Sequence, residues 1–227
     1  MTLRFVGCMN RKNMENETLK ERFLGTIFGQ AVGDALGLST EFMSKQEVDR
    51  FYPNGIEDYS QIVQDDHRRR WQRGDWTDDT DMMLCILDSF VACQKLDILD
   101  IARRFKEWMM NGGMGIGRHT YNVMALGDYT SNPQKAAEII WKMGKKKAAA
   151  NGAVMRTSVV GFMKDNVANA AVAGAILGAK FGIDPIPEEW KSGLLYASML
   201  HDKVQDLYFY NHSHSRKVSL MTKNGNV

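Results

Sequence analysis

Glycine recurs at every fourth position in the first strongly periodic segment of this 227-residue chain. The segment runs from Thr18 to about Leu38, and its apolar residues follow the period of an α-helix, with Thr18 and Glu21 placed as a capping box. The glycines are Gly25, Gly29, Gly33 and Gly37. Each glycine inside a helix costs about 1 kcal/mol relative to alanine, which favours close packing of another helix on this face. Gly37 also fits the end of the helix.

A second segment, from Asn169 to Phe181, repeats this pattern of small residues, and the two faces could pack together at the centre of a bundle. Further helices are predicted for Met82 to Val91, Ile98 to Met110, Pro133 to Met143 and Glu188 to Phe209. No segment shows two-residue alternation, so the predicted fold is nearly all α-helix. With no linker or low-complexity stretch, residues 18–209 are predicted to form one domain between a disordered lead, 1–17, and a disordered tail, 210–227.

The charges of the chain are nearly balanced, with a formal net charge of +2. The runs Arg68 to Arg70 and Lys145 to Lys147 are short and read as solvated loop charge, so no nucleic-acid partner is predicted. No apolar run has membrane-spanning length, and no membrane partner is predicted. Three unpatterned cysteines indicate reduced thiols and a cytoplasmic protein.

Acidic and hydroxyl side chains crowd the stretch from Gly74 to Asp81, called here the acidic segment, which leads directly into a predicted helix. One interpretation is an N-cap, in which Thr77 or Asp78 accepts a backbone N–H and the other acids face the positive end of the helix dipole. The other is a Mg²⁺ site, because adjacent Thr and Asp oxygens suit a hard cation that would relieve their repulsion. The segment alone does not decide between the two.

Three other stretches carry polar groups that could bind a ligand or take part in catalysis. An acid follows the first helix at Glu41, as a surface residue or as a carboxylate at the mouth of a cleft that orients water or moves a proton. The stretch from Asn111 to Gly117, called here the glycine loop, leads into a helix and is either a plain turn or a phosphate cradle of backbone N–H groups. The third runs from Asn151 to Arg156 and could meet a sugar or an acid, or form an Asn-Gly turn with a structural arginine.

Taken in order, these stretches resemble the ADP-ribosylglycohydrolase family over roughly residues 20 to 195. The resemblance rests on Gly29 to Gly37 with Glu41, on Trp76 to Thr80, on Gly113 to Thr120, on Asn151 to Arg156 and on the small-residue segment through Trp190. It implies an all-α orthogonal helical bundle with two Mg²⁺ ions in a cleft. The activity implied is hydrolysis of the N- or O-glycosidic bond that joins ADP-ribose to a protein side chain or a small molecule, which would be the partner.

The resemblance also assigns roles to individual residues. Glu41 would act in proton transfer or water positioning, and the metal ligands would be Thr77, Asp78 and Asp79. The substrate would contact Gly115, Gly117, His119, Asn151 and Met155. For an intact site we expect oxocarbenium character at the anomeric carbon, with the metals binding the ribose hydroxyls and positioning water.

One departure from the family pattern falls on the metal site. Family members carry a further stretch after the part that corresponds to Asn151 to Gly161, ending in an Asp-x-Asp-Thr motif. Here Asp165 stands in the place of the first acid and is taken as a ligand candidate, whereas Val167 and Ala168 occupy the places of the second Asp and the Thr. This indicates an internal deletion and an incomplete bundle. Two alternatives therefore stay open beside the hydrolase: an impaired form that binds ADP-ribose or has a regulatory role, and a helical scaffold whose acids only cap a helix.

Overall fold

The computed structural model describes residues 3–147, 152–163 and 182–209, and these are helical or irregular, with no strand among them. The side chains of 3–19 and 161–163 are outside the description. This confirms the predicted all-α fold class. The predicted ligand Asp165, the predicted ribose contact Asn151, the small-residue segment from Asn169 to Phe181 and the predicted disordered tail lie outside the described residues.

The α-helices are short apart from the first, and they are numbered here in chain order. They are α1 Leu3–Gly37, α2 Lys45–Phe51, α3 Asp78–Cys93, α4 Ile98–Met110, α5 Arg118–Ala125, α6 Pro133–Met143, α7 Gly152–Met155, α8 Glu188–Ser192 and α9, residues 197–209. Three 3-10 turns accompany them, at Tyr59–Gln61, Arg68–Arg70 and Ser158–Met163. No described helix is long and apolar enough to cross a lipid bilayer.

The hydrophobic core surrounds α3, which packs against α1, α4, α7 and the 3-10 turn at Ser158–Met163. On α3 the fully buried side chains include Met82, Met83 and Leu87, and α1 contributes Ile27 and Phe28. Since α3 begins with the acidic segment, burial of its apolar face fixes the acids at one end of the core.

The starts of three helices carry local capping interactions. Thr77 is the N-cap of α3, and Asp97 caps α4 by accepting the backbone N–H groups of Leu99 and Asp100, each at 3.1 Å. At α6, Pro133 occupies the first turn behind the N-cap Asn132. These are local interactions, which sequence patterns report well.

The first helix begins earlier than predicted. Helix α1 starts at Leu3 instead of Thr18, so residues 3–17 are helical where a disordered lead was expected. The stretch from Leu3 to Lys20 contains Leu, Met, Arg, Lys and Glu, residues that favour helix, and it contains no proline to end one. Thr18 therefore lies inside the helix and does not begin it.

The last predicted helix is also wrong in its continuity. It is broken at Gly193 into α8 and α9, and the break holds a backbone contact in which the Leu195 N–H donates to the Gly74 carbonyl at 2.8 Å. A Cβ on Gly74 would lie 2.2 Å from the Gly193 carbonyl oxygen, and the φ of Gly74 is +82°. The break therefore attaches the C-terminal helices to the start of the acidic segment.

The glycine face of α1 is divided. Gly25 and Gly29 are buried, whereas Gly33 and Gly37 are exposed, and no atom of the described structure lies within 4 Å of a Cβ built on either. Within the described part of the chain, close contacts to this face are therefore absent at Gly33 and Gly37.

Candidate active site

The carboxylate of Asp34 on α1 holds the acidic segment through four hydrogen bonds. Asp34 Oδ1 accepts the Thr77 hydroxyl at 2.7 Å, and Asp34 Oδ2 accepts the Thr77 N–H at 3.0 Å. Asp34 Oδ2 also accepts both the N–H and the hydroxyl of Thr80, at 3.1 and 2.8 Å. Burial raises the pKa of Asp34 to about 6, against the opposing effect of these hydrogen bonds. Four donors on one side chain fix the first turn of α3 far more firmly than a cap alone.

These hydrogen bonds leave Thr77 Oγ1 and Asp79 Oδ2 facing each other. The single hydroxyl proton of Thr77 is directed to the nearer acceptor, Asp34 Oδ1. Thr77 Oγ1 also accepts the Asp79 backbone N–H at 3.5 Å as the N-cap of α3, and its remaining lone pair lies 3.4 Å from Asp79 Oδ2. Neighbouring ligands in a Mg²⁺ octahedron with bonds of about 2.1 Å lie about 3 Å apart. Thr77 and Asp79 thus fit two adjacent positions of such a shell.

Ionisation of the next two acids is disfavoured in the folded chain. Burial raises the pKa of Asp78 to about 7, and the charges of Asp79 and Asp34 add to the effect. Burial also raises the pKa of Asp79, with a contribution from the charge of Glu41. The Arg156 guanidinium acts in the opposite direction on both. A bound cation would favour the charged forms.

No three His, Cys, Asp or Glu side chains converge as a metal cluster within the described ranges 3–147, 152–163 and 182–209. Thr77 and Asp79 therefore supply part of a shell, and water, substrate oxygens or residues outside those ranges would have to complete it.

The glycine loop lies directly against the acidic segment. Gly115 has φ +87°, and a Cβ there would lie 2.6 Å from Asp78 Oδ1 and 3.2 Å from the Asp78 nitrogen. Gly117 is the N-cap of α5 and is exposed, so it has no side chain to cap the first backbone N–H groups of that helix. His119 follows, partly exposed, in the first turn of α5.

Indole groups hold the acidic segment from its other side. Asp81 accepts the Trp76 Nε1–H through Oδ1 and the Trp108 Nε1–H through Oδ2, each at 2.8 Å. Gly113 packs on the Trp108 ring, where a Cβ would come within 2.4 Å. Asp81 is thus a structural acid, which joins α3 to α4 and to the glycine loop.

Gln30 joins the acidic segment to the last predicted stretch. Its Nε2 donates to the carbonyls of Asp79 and Met155, both at 3.0 Å, and its Oε1 accepts the Ser158 hydroxyl. Met155 is buried, and the Gln30 amide bridges the backbone carbonyls of Met155 and Asp79. Next to it, the buried Arg156 donates to the Gly152 carbonyl and lies 5.4 Å from the Phe105 ring centroid.

Glu41 lies at the end of α1 and is 42% exposed, and its charge reaches Asp79. Its Oε2 is 2.7 Å from His67 Nε2. The structure therefore brings Glu41, the acidic segment, Gly115 and Met155 to one end of α3. Gly117 and His119 lie on the adjoining α5.

Sequence reasoning missed the residues that hold this arrangement: Gln30, Asp34 as an anchor, His67 and Arg68. Gln30 and Asp34 stand four residues apart on an otherwise apolar helix face, which is a signal of a buried polar role. The interpretation of Arg68 as solvated loop charge was wrong, because its side chain is 2% exposed.

The model of the family described as ADP-ribosylglycohydrolase matches residues 15–167 and 162–217. The chain is 36% identical over 111 residues to ADP-ribosyl-dinitrogen reductase glycohydrolase of Rhodospirillum rubrum, covering 46% of this chain and 34% of the relative. It is 32% identical over 98 residues to ADP-ribosylarginine hydrolase Tri1 of Serratia proteamaculans, covering 43% and 24%.

A third relative is ADP-ribosylhydrolase ARH3 of Danio rerio, which is 32% identical over 108 residues, covering 45% of this chain and 26% of the relative. The matched part of this chain thus spans only a quarter to a third of the length of these three relatives.

Proposed function

The chain belongs to the ADP-ribosylglycohydrolase family, and from this we propose that it hydrolyses the N- or O-glycosidic bond between ADP-ribose and a protein side chain or small molecule, with Mg²⁺ as cofactor. The observation that carries the proposal is the junction of Asp34, Thr77 and Asp79. The buried carboxylate of Asp34 accepts the hydroxyl proton of Thr77. A lone pair of Thr77 Oγ1 therefore faces Asp79.

Each part of the site has a role in this proposal. Thr77, Asp78 and Asp79 hold Mg²⁺ at the N-terminus of α3, and the glycine loop offers backbone N–H groups to the diphosphate. Mg²⁺, when bound, would neutralise the crowded acids and orient the ribose hydroxyls. Glu41, at the exposed edge, orients water or moves a proton as the glycosidic bond breaks.

Asp165 remains the proposed further ligand, and Asn151 and His119 the proposed substrate contacts. The names of the relatives support an ADP-ribosyl substrate, since two of them act on ADP-ribosyl dinitrogen reductase and on ADP-ribosylarginine.

A second candidate function is binding of ADP-ribose without turnover. It is favoured by the family match, which is in two pieces that meet at residues 162–167, and by Val167 and Ala168 in the places of an acid and a threonine. If these ligands of the two-metal site are missing, Mg²⁺ on Thr77 and Asp79 would still hold ribose oxygens. The rate of hydrolysis would be largely lost.

The test is release of ADP-ribose from ADP-ribosylated arginine, ADP-ribosylated serine and small ADP-ribosyl esters, with and without Mg²⁺. Asp79→Asn removes a proposed ligand, and Asp49→Asn, an exposed acid on α2 paired only with Lys45 among the described residues, is the control. Mg²⁺-dependent release that Asp79→Asn abolishes and Asp49→Asn preserves supports the hydrolase. Binding of ADP-ribose without release selects the second function, and neither binding nor release rejects both.

A further inference from the structure

The segment that leads to Glu41 is held by a short loop, residues 65–70, called here the 65–70 loop. Arg68 of this loop is buried beneath the end of α1. Its Nε donates to the carbonyls of Leu38 and Ser39, at 3.0 and 2.8 Å, and its Nη2 donates to the carbonyl of Glu41. One guanidinium thereby holds three backbone carbonyls after the end of α1, and the backbone of Glu41 has a defined position.

Asp65 fixes Arg68 in turn. Asp65 Oδ1 accepts the backbone N–H groups of His67 and Arg68, at 3.0 and 2.8 Å, and Oδ2 accepts the Arg68 Nη1–H. The Arg68 backbone N–H bond lowers the pKa of Asp65, and the Arg68 charge contributes, so the acid is ionised at neutral pH. The loop is therefore a preorganised unit rather than a flexible connection.

His67 reaches the side chain of Glu41 from this loop. Its Nε2 lies 2.7 Å from Glu41 Oε2, and its other ring nitrogen, Nδ1, lies 2.6 Å from Arg70 Nη2. Arg70 also donates from Nε to the His67 carbonyl at 3.0 Å. The ring is enclosed by edge contacts with Phe42 and Trp71, with centroid distances of 5.1 and 5.4 Å.

The identity of the neighbour on Nδ1 decides where the ring proton lies. A guanidinium has only donors, so Nδ1 must accept from Arg70 and carries no proton. The imidazole proton is therefore on Nε2, which donates it to Glu41 Oε2. An imidazolium, with a proton on both nitrogens, would lose the Arg70 contact.

We infer that His67, held by Arg70 as the neutral Nε2–H tautomer, is a positioning residue that orients the Glu41 carboxylate. Oε2 is occupied by this hydrogen bond, and in the described part of the chain Oε1 has no protein partner. Oε1 is thus available to accept from a water or to take up a proton, while the bond to Oε2 restricts rotation of the carboxylate. The catalytic part of this inference rests on the proposed hydrolase function, whereas the tautomer and the hydrogen bond do not.

The first experiment measures the imidazole ¹⁵N chemical shifts of His67 in the full chain at neutral pH. We expect a protonated Nε2 and an unprotonated Nδ1. Arg70→Leu removes the donor and should convert His67 to a mixture of tautomers, whereas Arg69→Leu, which removes an exposed arginine paired with Asp66, should leave the shifts unchanged. A wild-type His67 that is an imidazolium or the Nδ1–H tautomer would overturn the inference.

The second experiment separates the hydrogen bond from ring packing. His67→Gln keeps an N–H donor for Glu41 but loses the ring, and His67→Phe keeps the ring contacts with Phe42 and Trp71 but loses the donor. We expect His67→Phe to lower kcat by roughly 10-fold to 100-fold with little change in KM, and His67→Gln to retain more of kcat. Equal or better activity of His67→Phe would contradict the positioning role.

The outcomes distinguish failure of this inference from failure of the proposed function. If the wild-type chain releases no ADP-ribose, the hydrolase proposal fails, and the ¹⁵N shifts alone decide whether His67 is held as inferred. If it does release ADP-ribose and His67→Phe is as active as wild type, the hydrolase proposal stands and the positioning role is rejected.

Discussion

At the scale of single residues, the candidate site depends on the direction in which each hydroxyl proton is donated. Asp34 receives the hydroxyls of both Thr77 and Thr80, so these two threonines have the same partner. They differ in what lies beyond the hydroxyl: Thr77 Oγ1 faces Asp79, whereas Thr80 is fully buried. This pair therefore separates a structural hydroxyl from a proposed metal ligand.

We predict that Thr80→Val lowers the free energy of unfolding by about 1–2 kcal/mol, because it loses one hydrogen bond to Asp34. Thr77→Val should lower it by at least as much, because it loses the same kind of bond and also the N-cap contact with the Asp79 N–H. Only Thr77→Val should also lose the extra stability that Mg²⁺ and ADP-ribose give together. Urea unfolding with and without these ligands measures both effects. If Thr77→Val keeps the full ligand response, Thr77 is not a ligand.

The second residue-scale prediction concerns pH. Burial raises the pKa of Asp78 to about 7 in the folded chain, from 3.8 in the unfolded chain. Between these values the folded chain binds more protons, so the free energy of unfolding falls as pH rises. Asp78→Asn cannot ionise and should match wild type near pH 4 but exceed it at pH 8 by more than about 1.4 kcal/mol, the equivalent of one pKa unit.

The measurement is denaturant unfolding across pH 4 to 8 without divalent ions, with Asp49→Asn as the exposed control. An Asp78→Asn profile parallel to that of wild type would show that Asp78 is not held in a site that disfavours its charge.

At the scale of elements, two loops meet the acidic segment through glycines that have no room for a side chain. The glycine loop does so at Gly115, where a Cβ would meet Asp78, and the break between α8 and α9 does so where Gly74 meets Gly193. Both contacts join parts of the chain that are distant in sequence, and each can be tested against a glycine of similar φ in open space.

For the glycine loop, the matched pair is Gly115→Ala and Gly112→Ala, at φ +87° and +94°. Both should lose about 1–2 kcal/mol of stability because alanine is strained in the left-handed region. Only Gly115→Ala should also displace Asp78 and weaken ADP-ribose binding, which calorimetric titration in the presence of Mg²⁺ would measure. Equal affinities of the two variants would mean that the loop is a plain turn.

For the C-terminal helices, the matched pair is Gly74→Ala and Gly55→Ala, both at φ +82°. A Cβ at Gly55 has no described atom within 4 Å, whereas one at Gly74 would lie 2.2 Å from a carbonyl oxygen. Thermal unfolding should show the larger loss for Gly74→Ala, and hydrogen exchange should increase across α8 and α9 in that variant alone. Similar losses would show that the close contact contributes little.

The elements also show what a sequence can predict. The caps of α3, α4 and α6 were predictable because each joins residues a few positions apart. The hydrogen bonds of Asp34 to Thr77 and Thr80 join residues 43 and 46 positions apart, and the bond between His67 and Glu41 joins residues 26 positions apart. Such contacts exist only once the helices have packed. The break at Gly193 was missed for the same reason, since its cause is the backbone of Gly74.

At the scale of the whole molecule, the chain belongs to the ADP-ribosylglycohydrolase family, and its match to the family model is in two pieces. The described residues bring Glu41, Thr77, Asp78, Asp79 and Gly115 to one end of α3. We propose that this arrangement still binds Mg²⁺ and ADP-ribose.

Thermal unfolding of the full chain, with and without Mg²⁺ and with and without ADP-ribose, tests that claim most directly. A ligand at about 100 times its dissociation constant adds roughly 2.7 kcal/mol to the free energy of unfolding. We expect a rise in Tm that requires both Mg²⁺ and ADP-ribose and that Asp79→Ala abolishes. A cooperative transition whose Tm neither ligand moves would contradict it.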